Sequence, residues 1–123
     1  MTFCNIMKID NQIASSSKAF AIRIIKLYQY LIEKQEYVLS KQLLRCGTSI
    51  GANVSESVFA QSRQDFISKM SIALKEANES NYWLDLLYET DYIEKNLYDS
   101  FIDDLKIIIG TLVNIIKTSK NNL

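Results

Sequence analysis

Apolar residues recur at helical spacing along most of the chain. Phe20, Ile24, Leu27 and Leu31 step by four, three and four. Leu39, Leu43, Cys46, Ile50, Asn53 and Ser57 keep the rhythm, the last two with polar side chains. Phe66, Met70, Ala73, Ala77, Ser80, Leu84 and Leu87 form a third series, and Leu97, Phe101, Leu105, Ile108, Leu112 and Ile115 a fourth. Polar stretches separate them: "EKQEY", "AQSRQDF" and "ETDYIEKN". The pattern predicts helices over about 15–33, 38–60, 63–90 and 94–119. Ser15, Ser16 or Ser17 can cap the first, and Ser62 with Asp65 resembles a capping box for the third. The first dozen residues and the terminal "KNNL" are expected to fray. Short breaks make successive helices antiparallel neighbours. The expected fold is therefore all-α, an up-down-up-down four-helix bundle, with residues 1–123 as one domain.

The segment "TSIGANVSES" tests this reading, because it holds a glycine, an asparagine and three serines and follows a second glycine, Gly47. All are mediocre or poor helix formers. The apolar rhythm nevertheless runs through it, so it reads as helix. Gly47 and Gly51 lie four apart on one face. A helical glycine costs about 1 kcal/mol against alanine, and close approach of another backbone would offset that. The small middle of the third series, Ala73, Ala77 and Ser80, is the expected neighbour, with Tyr82 and Trp83 closing the layer below.

The last stretch carries a second apolar row: Ile102, Ile109, Val113 and Ile116. A stripe that wide exceeds what one bundle requires. Two readings stand: a deeply buried final helix, or a face meeting another subunit.

Composition narrows the chemistry. The chain has no proline, which suits long helices joined by polar turns. It has no histidine, which removes the commonest general base and metal ligand. No phosphate-loop motif occurs. No apolar run approaches the ~20 residues of a membrane span, and no signal peptide is evident, so the expected location is the cytoplasm. Cys4 and Cys46 read as reduced thiols. Net charge is zero but uneven. Residues 1–46 hold seven Lys/Arg against three Asp/Glu, and residues 81–123 hold four against seven.

Asn53 and Ser57 sit where apolar residues are expected. Glu56 lies one turn from Asn53, and Glu76 and Glu79 are three apart in the next helix. These five form a polar seam. One reading is helix register, with ion pairs to Arg45, Arg63 or Lys75. The sharper reading is a carboxylate site for acid–base or metal chemistry. Di-iron bundles use Glu-x-x-His pairs, so no catalytic residue, metal or cofactor is assigned. Lys18, Arg23, Lys26, Lys34, Lys41 and Arg45 are candidate phosphate contacts.

"LSKQLLRCGTSIGANVSES" followed by "QSRQDFISKMSIALKEANESNYWLDLLYETDYI" closely resembles the four-helix bundle proteins of the 23S ribosomal RNA intervening-sequence family, over about residues 15 to 119. The accessory protein of diversity-generating retroelements, a basic pentamer that engages nucleic acid, is similar. The resemblance implies an antiparallel bundle that assembles as a homopentameric ring. It places the family signature on Arg45, Ser49, Asn53, Glu56, Asp65, Phe66, Ala73, Glu76, Glu79 and Trp83, and transfers no catalytic residue. The neutral chain departs from the basic relatives. The leading expectation is a non-enzymatic homo-oligomeric scaffold or adaptor, associated with ribosomal RNA or another nucleic acid. The alternatives are a ring binding RNA or DNA directly through the basic first helix, and a carboxylate enzyme.

Overall fold

The computed structural model describes the backbone of residues 3–121 and the side chains of residues 12–121. Four helices account for it: α1 Phe3–Glu33, α2 Leu39–Ser57, α3 Arg63–Glu89 and α4 Lys95–Asn121. No strand occurs among the described residues. Each helix packs on its neighbours in sequence and α1 closes against α4, while diagonal pairs do not meet. This is the antiparallel up-down-up-down bundle.

The core follows the heptad-like rhythm closely. In α3 the seven expected residues, Phe66 through Leu87, are the seven that are buried. Phe20, Ile24, Leu27 and Leu31 are buried in α1. In α2 the rhythm slips by one: Val54 takes the core position, and Asn53 moves to the half-buried edge facing α3. Leu39 and Leu97 pack at the margin of the core. Trp83 also packs against it, but Tyr82 points outward and closes no layer.

The helix ends show what the polar breaks do. α1 and α3 both finish in a left-handed residue, Gln35 at φ 65° and Asp91 at φ 67°. Glu36 N–H reaches Leu31 C=O and Gln35 N–H reaches Ile32 C=O, and Tyr92 with Leu87 and Asp91 with Tyr88 repeat the pattern. These are Schellman ends built without glycine. Glu36 then starts α2, its carboxylate accepting the N–H groups of Val38, Leu39 and Ser40. Burial pushes this carboxyl up, but the bonds from the Leu39, Ser40 and Val38 backbone and the Ser40 hydroxyl outweigh it and hold the pKa below the usual carboxylate range. At α3 the Asp65 N–H bonds the Ser62 hydroxyl, and the Asp65 carboxylate accepts the Gln61 N–H, one residue before the usual capping-box partner.

Two expectations are corrected. Ser15, Ser16 and Ser17 do not cap α1, whose backbone is helical from Phe3. Ser16 and Ser17 instead bond back to the Ile13 and Ala14 carbonyls within the helix. The partner of the glycine face is α1, not α3. A Cβ on Gly47 would stand 2.8 Å from Ile24 Cγ1, and one on Gly51 would stand 3.3 Å from the Ser17 carbonyl oxygen. α2 also ends at Ser57, before the predicted boundary at 60. Of the first dozen residues and the terminal "KNNL", expected to fray, residues 3–12 and 120–121 are instead helical, while residues 1–2 and 122–123 lie outside the described residues, as does the Cys4 side chain; Cys46 is a free, buried thiol.

Candidate functional site

The α2–α3 seam carries the polar cluster. Arg45 reaches Glu76 at 3.4 Å and also pairs with Glu79, whose Oε2 accepts the Trp83 indole N–H at 3.0 Å. Lys69 Nζ stands 3.3 Å from Glu56. The Ser80 hydroxyl contacts Cys46 Sγ at 3.3 Å. Burial pushes the Cys46 thiol up, more than the Ser80 bond lowers it, so the thiol stays protonated. Asn53 donates to Ser49 C=O and Ser57 to Val54 C=O, so both are satisfied inside α2 rather than across the seam. Lys75 is exposed, and Arg45 is half-exposed rather than buried. Glu56 is thus held by Lys69, while Glu76 and Glu79 share Arg45; the three carboxylates are not gathered into one site. Among the described residues no group of three potential metal ligands occurs. Half-exposed ion pairs of this kind contribute about 0–1 kcal/mol each. Register therefore rests mainly on packing.

The six basic candidates are spread over several faces. Arg23 binds Asp104 at 2.6 Å and Ser100 at 3.0 Å and lies 4.1 Å over the Phe101 ring. Together with Lys26, Leu27, Tyr30 and Leu97, Arg23 and Phe101 line a groove of ≈ 250 Å³ between α1 and α4. Lys34 lies 4.6 Å over the Tyr30 ring. Arg23, Lys26, Tyr30 and Lys34 thus follow one face of α1, by their spacing of three, four and four. Lys18 faces a different groove, between α1 and α2. Lys41 is exposed on α2, and Arg45 belongs to the α2–α3 cluster.

The α1–α2 groove, ≈ 530 Å³, is lined by small side chains such as Ala14, Ala21, Gly51, Ala52 and Ser55, and Lys18 is the only charged residue on it. Ile22 and Ile25, one turn on from the groove residues Lys18 and Ala21 along α1, are 46% and 42% exposed.

The second apolar row of α4 divides. Ile102 and Ile109 pack against the core and Ile116 is buried, while Val113 is exposed. Val113 and Ile116 line the α3 side of α4. Ile107, which belongs to neither apolar row of α4, is 66% exposed, on the α1 side. Its position between two core residues, Leu105 and Ile108, hides it in a hydrophobicity pattern.

Lys69 was also missed. Arg45 and Glu76 are nearly equidistant from the α2–α3 turn, but Glu56 lies much closer to it than Lys69 does, so no spacing in the sequence signals the Lys69–Glu56 pair. Tyr98 was missed too: its phenol donates to Asp85 and its ring stacks on Tyr88 at 4.5 Å. The bond to Asp85, aided by burial, raises the phenol pKa to about 12.

A family model described as 23S rRNA-intervening sequence protein matches residues 9–114. The chain belongs to that family. A crystal structure of a protein with unknown function from the S23 ribosomal protein family of Bacteroides thetaiotaomicron VPI-5482 superposes with a TM-score of 0.87 at 53% identity, covering 89% of this chain and 98% of that one. No curated protein matches. The residues on which the resemblance places a signature fall into three groups, of which Asp65 alone makes the first, at the N-terminus of α3. Phe66 and Ala73 are core. Arg45, Ser49, Asn53, Glu56, Glu76, Glu79 and Trp83 make the α2–α3 polar cluster, each hydrogen-bonded or paired within the bundle. No described helix is long and apolar enough to cross a membrane.

Proposed function

We propose that this intervening-sequence family protein is a non-enzymatic, self-associating helical bundle that acts as a cytoplasmic adaptor or scaffold, in association with ribosomal RNA or another nucleic acid. The pentamer is taken from the ring-forming relatives that the sequence resembles. The observation that carries the reading is the outer face of α1 and α2, where Ile22 and Ile25 follow, one turn on, the α1 residues of a groove with Lys18 as its only charge. Exposed surface so poor in charge is characteristic of the core of a protein–protein contact. The seam carboxylates support the non-enzymatic part, since each is already engaged by a cation. Light scattering of the purified chain tests it: a mass near five times 14.2 kDa is expected at micromolar concentration, and a strict monomer removes the proposal.

A second reading, direct RNA or DNA binding through α1, is favoured by Arg23, Lys26, Tyr30 and Lys34 sharing one face, with the Tyr30 ring at the α1–α4 groove. Such a surface offers phosphate contacts and a stacking ring. Retention of ribosomal RNA fragments at low salt, lost in Lys26→Glu/Lys34→Glu, supports it. No retention at low salt ends it.

A further inference from the structure

We infer that the α1–α2 groove receives the outer ridge of α4 from a second copy of this chain, so that the contact is head-to-tail; this rests on the self-association proposed above. The groove, ≈ 530 Å³, has walls made mostly of small side chains. Small walls admit the bulky ridge of a third helix. Its single charge, Lys18, makes no ion pair among the described residues. Pairing this face with itself would give Lys18 no carboxylate, because none lines it. The docking surface is therefore a different one. It must offer an exposed bulky apolar side chain with an uncommitted acid about one turn away.

Ile107 with Asp103, on α4, meets both conditions with a bare aliphatic side chain. Ile107 is the most exposed large apolar side chain within any described helix. Asp103, four residues earlier on α4, is exposed and makes no ion pair among the described residues. Its neighbours are committed, Asp99 to Lys95 and Asp104 to Arg23. Other exposed apolar residues fit less well: Tyr30 has Glu33, unpaired among the described residues, three residues on, but its ring already carries Lys34; beside Ile72, Glu76 is held by Arg45, and beside Tyr82, Glu79 is held by Arg45 and Asp85 by Tyr98. The charge surplus of residues 1–46 and the deficit of residues 81–123 favour the same pairing. Two unlike surfaces meeting in this way generate a ring when the rotation closes.

Light scattering of the full chain and two variants tests it. Ala52→Arg blocks the groove and Ile107→Asp removes the ridge; both sites are exposed, so circular dichroism is expected to remain that of a helical bundle. Each variant alone is expected to be monomeric. Mixed one to one, they are expected to give a dimer, because each keeps the half the other has lost. Lys18→Glu is expected to raise the half-dissociation concentration at least about tenfold, and Lys18→Glu/Asp103→Lys to restore it. A wild-type monomer overturns both this inference and the proposed self-association. A wild-type oligomer that survives both blocking variants, or a mixture that forms no dimer, overturns the head-to-tail pairing alone.

Discussion

The three glycines allow one substitution to be tested in three environments, and Gly47→Ala is the informative member. Alanine in a helix interior gains about 1 kcal/mol over glycine from backbone entropy alone. At Gly110 a Cβ meets nothing within 4 Å, so most of that gain should appear as stability. At Gly47 the new carbon would lie 2.8 Å, 2.9 Å and 3.3 Å from Ile24 Cγ1, Cγ2 and Cβ. Ile24 is fully buried and β-branched, so no rotamer withdraws all three atoms. α1 and α2 must separate, and overpacking of this kind costs about 1–3 kcal/mol. With three contacts from a pinned side chain, the upper part of that range applies, leaving Gly47→Ala net destabilised by about 1–2 kcal/mol. The two alanine variants should therefore lie on opposite sides of wild type, about 2–3 kcal/mol apart by the same reasoning. Urea unfolding followed by far-UV circular dichroism, at one protein concentration for all variants, reads the difference directly. Ile24→Ala in the Gly47→Ala background should cost less than in wild type, since the added carbon fills part of the space vacated. Equal shifts for Gly47→Ala and Gly110→Ala would refute the close approach of α1 to α2.

Three further outcomes are expected. Glu36→Ala should destabilise the bundle by about 1–2 kcal/mol at neutral pH, since α2 loses a carboxylate cap. The folded Glu36 pKa is lowered, so its contribution is present above the ordinary value of 4.5 and is lost as pH falls through the folded value; the variant's urea midpoint should fall less steeply below pH 4.5 than wild type's. Gln35→Gly and Asp91→Gly should each raise stability by about 1 kcal/mol in thermal or urea unfolding, because both positions have positive φ. In an ultraviolet pH titration one tyrosine should ionise near pH 12, and in Asp85→Asn that step should move toward 10. Here the folded pKa is raised, so the contribution is complete below pH 10 and disappears as pH rises through about 12.

The sequence by itself determined the helices, their antiparallel order and most of the core. Those properties are set by local spacing: an apolar residue at every third or fourth position has to face inward, and a break of a few polar residues forces the chain back. This is why all seven core positions of α3 were legible, and why the glycine-bearing stretch of α2 could be recognised as helix. The Ser62–Asp65 cap was legible for the same reason, being a contact between residues three apart.

Only the tertiary structure decided what meets across helices. Periodicity fixes a face to within about one residue, so it could not tell that Val54 rather than Asn53 enters the core, nor that Gly47 and Gly51 turn toward α1 instead of α3. Nor could it sort the charges. Whether Arg23 is a free phosphate contact or a clasp on Asp104 depends on two residues far apart in sequence sharing one seam. The exposure of Ile107 and the lone charge of the α1–α2 groove are of the same kind: they are properties of surfaces assembled from two helices, and no single stretch of sequence carries them.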